Sequence, residues 1–301
     1  MDFAAVIDIV MGAVEQGLIY GILALGLLIT YRILDFPDLT VDSSFPLGAA
    51  ITAVLTVNGV NPLLSLLCAA AAGALAGLVT GLIHVRCHVR DLLSGIITMT
   101  GLYSINLRIA GRANLPFFAS ATLFKNPLTK SLPDWLAPYS TLVIILLIVL
   151  AAKLLLDAYL RTKAGFLLRA AGDNASVVTT LARDVGSVKI VGLMIANALV
   201  ALAGAVMAQH QRTFDISMGT GTMVTGLASV IIGTNLFKSA GWMKSTTMVI
   251  IGSVLYKLCV SAAISCGLEA QDMKLVTAVL FLLILVAAQT QFKRKKVRIH
   301  A

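Results

Sequence analysis

Charged residues are few. Asp, Glu, Lys and Arg make up 12% of the 301 residues, against 58% hydrophobic residues and a mean hydropathy of +0.94. A soluble domain carries about twice that share of charge, so there is too little polar surface here to dissolve a globule. The shortage excludes a soluble enzyme, and the formal charge of +9 reads as membrane orientation, not as a nucleic-acid surface. Cysteine is also scarce. Cys68, Cys87, Cys259 and Cys266 form no CxxC pair or metal-like spacing, which leaves them as small packing residues. The start of the chain has Asp2 and Asp8 but no basic n-region, so no cleavable signal is expected.

Signatures of catalysis are missing as well. No nucleophile, base or metal cluster assembles, and no metal or cofactor bound by this chain is expected. His84 and His88 stand at i, i+4 beside Arg86 and Arg90, with only Cys87 and Asp91 nearby, and read as a solvated basic turn. Gly233-Thr234-Asn235-Leu236-Phe237-Lys238-Ser239 lacks both the glycine before the lysine and the preceding strand of a phosphate loop. ATP is therefore not expected to bind this chain in the usual way.

What the chain does contain is apolar runs of spanning length. A bilayer core of about 30 Å needs roughly 20 helical residues. Spans are expected near residues 9–31, 43–58, 62–84, 92–110, 138–157, 186–209, 219–237, 246–266 and 273–291. The fold class is thus an all-α polytopic membrane protein of about nine helices in a single membrane domain over 1–301, with a short, broken second span. With the N-terminus outside, sixteen of the 23 Lys and Arg fall on the inner side and six on the outer, leaving Lys257 within a span. That bias makes the inner side, and the basic tail 292–301, cytoplasmic. The longest outer loop, 111–137, carries Pro116, Pro127, Pro133 and Trp135, and is expected to hold interfacial or broken helices, or to be a plain connection.

Two polar stretches interrupt the apolar pattern. The first, Arg161 to Val185, lies on the inner side between two spans and is basic and rich in capping residues. Gly172 can end a short helix begun near Gly165, and Asp173 or Asn174 can cap the next, so 160–185 reads as two short surface helices. The second, Tyr31 to Pro46, places Asp35, Asp38, Asp42, Ser43 and Ser44 among two prolines. Irregular backbone at membrane depth survives only where protein or a water-filled cavity surrounds it. Two readings stand: an ordinary turn with Asp42 and Ser43 as caps, or the edge of a translocation path. Hydroxyl and amide residues within the spans, Thr98, Asn106, Thr222 and Thr225, are candidates for the same path. The intramembrane amides Asn106, Asn197, Gln209 and Asn235 are expected to bond neighbouring helices in preference to substrate.

A weak inverted repeat supports transport. Leu75-Ala76-Gly77-Leu78-Val79 is echoed by Leu202-Ala203-Gly204-Ala205-Val206, and Ser94-Gly95-Ile96-Ile97-Thr98 by Thr225-Gly226-Leu227-Ala228-Ser229, in spans of opposite direction.

The inner stretch carries a more specific signal. Arg161-Thr162-x-x-Gly165-x-x-x-Arg169-Ala170-x-Gly172-x-Asn174, followed by a second short helix and a span, resembles the coupling loop of permeases in the branched-chain amino acid, ribose and simple sugar ABC importer family. Gly17-Leu18-Ile19-Tyr20-Gly21-Ile22-Leu23-Ala24-Leu25-Gly26 and the break at Leu34-Asp35-Phe36-Pro37 resemble that family's first spans, and the likeness runs from about Gly17 to Gln291. Thr98 to Arg108 resembles the short permeases whose lipoprotein receptors are associated with tryptophan or tyrosine. The chain departs from branched-chain permeases at Pro37-Asp38-Leu39-Thr40-Val41-Asp42, which argues against an aliphatic amino acid as substrate.

The resemblance implies a permease subunit in a bacterial cytoplasmic membrane, paired with a second copy. Its implied partners are a cytoplasmic ATPase dimer carrying ATP and Mg, an extracytoplasmic substrate-binding lipoprotein and membrane lipids, with no nucleic acid. It makes Gly165, Phe166, Leu167, Arg169, Ala170, Gly172, Asp173 and Asn174 the residues that receive the ATPase stroke, Gly165 and Gly172 being the bends at the helix ends. Arg169 is equally open to a reading as a phospholipid anchor. The competing class is a stand-alone secondary transporter driven by ions through Asp35, Asp38 or Asp42.

Overall fold

The computed structural model describes residues 3–125, 139–180, 184–238 and 242–265, with 275, 277–279, 281–283 and 286. The proline-rich part of the outer loop after Lys125, Arg183, Cys266, most of the last expected span and the basic tail lie outside the described residues.

The chain is a bundle of helices: α1 (Phe3–Leu27, ending in a π-wound turn Leu28–Ile33), α2 (Val41–Val57), α3 (Pro62–Arg86), α4 (Asp91–Ala110), α5 (Ser140–Leu160), the short α6 (Lys163–Asp173) and α7 (Ala175–Thr180), α8 (Val185–Gln211), α9 (Thr222–Leu236) and α10 (Ser245–Ser265). Seven segments are long and apolar enough to cross a membrane among the described residues, and α2 is an eighth, shorter one. Two three-residue strands, β1 (Asn114–Pro116) and β2 (Thr213–Asp215), pair antiparallel and tie the end of α4 to the end of α8. The described part of the loop after α4 holds β1 and turns, and no helix.

Local chemistry sets the helix limits. Asn61 caps α3 by accepting from the Leu63 amide at 2.9 Å, with Pro62 at the first helical position. Gly111 ends α4 in the left-handed region at φ 71°, its amide returning to the Leu107 carbonyl at 2.8 Å. Asp184 caps α8, accepting from the Gly186 and Ser187 amides and the Ser187 hydroxyl. The hydroxyl bond first, then the two amides, hold this exposed carboxyl below its usual range.

α1 and α8 are the most enclosed spans, and α2, α3, α9 and α10 pack around them. Hydrocarbon gives helices no hydrophobic reason to associate, so contact depends on close backbone approach at small residues. A Cβ on Gly77 would overlap the Leu193 carbonyl, and one on Gly204 the Phe45 carbonyl. Glu15 of α1 and His210 near the end of α8 tie these two helices together at 3.0 Å. Gln209 is fully engaged, donating to the Pro62 carbonyl and Ser65 hydroxyl and accepting from the Leu123 amide. Lys257, the one cation expected within a span, lies 3.8 Å from the centre of the Tyr20 ring, a cation–π contact, and forms no salt bridge among the described residues.

Candidate functional site

The polar break begins where α1 loosens. The Leu34 amide bonds back five residues to Ile29 at 2.9 Å and the Phe36 amide six residues to Thr30 at 2.8 Å. Turns wound this widely are rare and cluster at functional sites. Asp35 follows with φ 51°, exposed, in a region that Asp tolerates better than most side chains. From there the chain turns inward. Asp38 is fully buried, its Oδ1 accepting from the Thr40 amide at 2.9 Å and its Oδ2 from Asn197 Nδ2 at 2.7 Å. The Ser44 hydroxyl donates to Asn197 Oδ1 at 2.7 Å, and the hydroxyls of Thr40 and Thr80 meet at 2.9 Å. Asp38 and Ser44 thus sit in a closed network that joins the break to α3 and α8.

Asp42 and Ser43 turn the other way. Asp42 Oδ1 accepts from the Met223 amide at 2.8 Å and the Thr222 hydroxyl at 3.0 Å, and Oδ2 from the Gly221 amide at 3.3 Å. A carboxylate on α2 therefore caps the N-terminus of α9, where partial positive charge favours it. Pro46 cannot donate to the Asp42 carbonyl, and Gly219 closes on that carbonyl so tightly that a Cβ there would overlap it. Ser43 donates to the Met99 carbonyl at 2.8 Å, and Asn106 donates to the Ser43 carbonyl at 3.0 Å.

These residues border a cavity of about 480 Å³ lined by Asp42, Ser43, Pro46, Met99, Thr100, Tyr103, Ser104, Ile216, Ser217 and Thr220. Of the expected path residues, Asp42, Ser43, Asn106 and Thr222 come together here. Thr98 and Thr225 bond to their own helices through the Ser94 and Gly221 carbonyls, while Asp35, Asp38 and Ser44 lie elsewhere. Tyr103 and Ser104 were not singled out from the sequence. The signal was there in the i, i+4 pairs Met99–Tyr103 and Thr100–Ser104, which mark one face of α4.

On the face of the bundle that carries α6, Thr162 caps that helix by accepting from the Gly165 amide at 3.3 Å. α6 starts earlier than expected, and Gly165 and Gly172 lie within it instead of bending its ends. Both are points of contact. A Cβ on Gly165 would press on the Leu160 backbone, and one on Gly172 would overlap the Ile33 carbonyl, at the close of the π-wound turn. Leu168 and Ala171 are buried beside them, whereas Phe166, Arg169 and Asp173 are exposed. Leu167 and Ala170 are half-buried, and Asn174 accepts from the Ser176 amide at 3.1 Å to start α7. His84 bonds to the Val89 carbonyl and reaches Lys189 at 3.4 Å, stabilising the turn between α3 and α4.

Known proteins resemble the whole chain. It is 42% identical over 287 residues to the "Tyrosine transport system permease protein" of Clostridioides difficile (strain R20291), covering 95% of this chain and 94% of that one. An uncharacterized protein of Rickettsia prowazekii (strain Madrid E) is 31% identical over 280 residues, covering 90% and 95%. The solved PsaBC from Streptococcus pneumoniae in complex with Fab overlays loosely, with a TM-score of 0.39 at 12% identity over 83% of this chain and 88% of that one. Residues 9–288 match the family described as "Branched-chain amino acid transport system / permease component", and the chain belongs to that family of ABC permeases.

Proposed function

We propose that two copies of this permease, in a bacterial cytoplasmic membrane with their N-termini outside, import an amino acid or related small metabolite of aromatic character. An extracytoplasmic lipoprotein delivers it, and a cytoplasmic ATPase dimer, holding ATP and Mg, supplies the force. The tyrosine system named for a relative, together with the unusual break at Pro37 to Asp42, supports the aromatic reading.

One observation carries the mechanism: Gly172 of α6 rests on the Ile33 carbonyl, where α1 gives way to the polar break. A push on the exposed Phe166 and Arg169 is passed through that contact to the end of α1. Residues 34–41 then carry it to Asp42 and Ser43 at the cavity. Close packing makes such a contact transmit displacement instead of absorbing it.

The test is Arg169→Glu in the assembled transporter in vesicles. ATPase activity is expected to persist while uptake driven by it falls, with the permease's melting temperature unchanged. Unaltered uptake would remove α6 from the mechanism. Uptake by the purified chain alone under a proton or sodium gradient would replace the ATP-driven reading with an ion-coupled one.

A further inference from the structure

A second cavity, of about 550 Å³, opens on the α6 face between the ends of α1, α5 and α6 and the start of α10. Its floor is apolar, with Leu28, Ile33 and Leu160. Its rim carries four cations, Arg32, Arg161, Arg169 and Lys244, and two carboxylates, Asp157 and Asp173. Asp157 is already engaged, accepting from Lys244 Nζ at 2.8 Å and the Thr246 hydroxyl at 2.7 Å, with Lys153 at 3.6 Å. Among the described residues none of the three arginines forms a salt bridge. Three free guanidiniums thus face one exposed carboxylate over an apolar floor, which is the chemistry of a site for an amphiphilic anion.

Two further features say which anion. α5 and α10 both lie against α1 yet barely touch each other, so the cavity is the inner end of a cleft between spans. One turn before Asp157 on the same side of α5, Leu154 is 61% exposed, a surface suited to an acyl chain. Beside Met243, which also lines the cavity, Trp242 is 85% exposed, a residue type that settles at headgroup depth. We propose that this cleft binds the phosphate headgroup of an anionic phospholipid, with Arg32 and Arg161 as its principal ligands and the acyl chains along α5. The lipid would then sit against α6 and brace it where force is received. Basic pockets between spans on a cytoplasmic side suit such headgroups.

The full-length chain, with Trp135→Phe so that Trp242 is the sole indole, is reconstituted without its ATPase in phosphatidylcholine vesicles. Phosphatidylglycerol or phosphatidylcholine brominated near the headgroup is then titrated in, and Trp242 quenching is followed. Quenching by the anionic lipid is expected at a mole fraction about thirtyfold lower than in Arg32→Gln/Arg161→Gln, the loss of two surface cation contacts. Lys189→Gln, outside the cleft, is expected to behave as the parent. Equal quenching by the two lipids in the parent chain overturns the proposal whatever the variants do. So does restoration of equal quenching by millimolar inorganic phosphate, which would assign the cleft to a free anion. Lipid selectivity seen only after ATPase is added would make the cleft a protein contact and also defeats it. Because the readout needs no ATPase, this result stands or falls apart from the transport mechanism.

Discussion

Asp38 and Asp42 lie four residues apart in one polar break, and their surroundings give them opposite jobs. Asp38 joins the break to α8 through Asn197, a residue 159 positions away. Asn197→Ala would strip a partner from a buried carboxylate and from the Ser44 hydroxyl together, at about 2–3 kcal/mol of stability. Ser44→Ala removes a single bond and is expected to cost less. Thermal unfolding in detergent checks the order, and an Asn197→Ala chain as stable as the parent would break the network's claim to hold the fold. Asp42 caps α9 from a distance. Asp42→Ala is expected to lose about 1–2 kcal/mol, whereas Asp42→Asn keeps an accepting oxygen and most of the stability. Comparable losses in both variants would show that charge, not capping, matters there. Three aspartates among prolines were visible in the sequence as an anomaly. Which of them turned inward was not, because the deciding partners, Asn197 and the first amides of α9, are remote in the chain.

At the scale of elements, α6 is the clearest case of partial legibility. Its polarity, its length and the Thr162 to Asn174 spacing announced a short surface helix between spans. The role of its glycines was hidden: a missing Cβ can mean a bend or a contact, and only the neighbouring backbone decides. Here Ile33 and Leu160 decide for contact. Gly172→Ala is therefore expected to lift α6 from the end of α1 and to cut ATP-driven uptake severalfold or more while the spans stay folded. Gly12→Ala on α1, where a Cβ meets nothing within 4 Å, serves as the control and should be silent. Hydrogen exchange would locate the change: faster exchange confined to α6 and residues 30–36 is expected from Gly172→Ala. Uptake at the parent rate would mean that the contact transmits nothing. Eight of the nine expected spans were legible to within a few residues because hydrocarbon thickness fixes their length, and the ninth, 273–291, falls mostly outside the described residues.

For the whole molecule, the instructive contrast is between the exposed surfaces of α4 and α5. α5 shows Leu147, Leu150, Leu154 and Leu155, an ordinary face for lipid. α4 exposes Thr100, Tyr103 and Ser104 within a span, beside the Asp42 cavity. Hydroxyls and a carboxylate edge gain nothing from hydrocarbon, so that face belongs against water or protein. A second copy meeting this one along α4 would enclose the two cavities in a shared, wetted space, whereas α5 would remain at the lipid boundary. In a background with Cys68, Cys87, Cys259 and Cys266 replaced, Ser104→Cys is expected to join two copies through a short bifunctional thiol reagent in native membranes, and Leu155→Cys is not. The dimer would be oriented otherwise if the two variants crosslinked in the reverse order. If neither did, in membranes where the transporter takes up substrate, the path would have to lie within one copy, and α4's polar face would need a different neighbour.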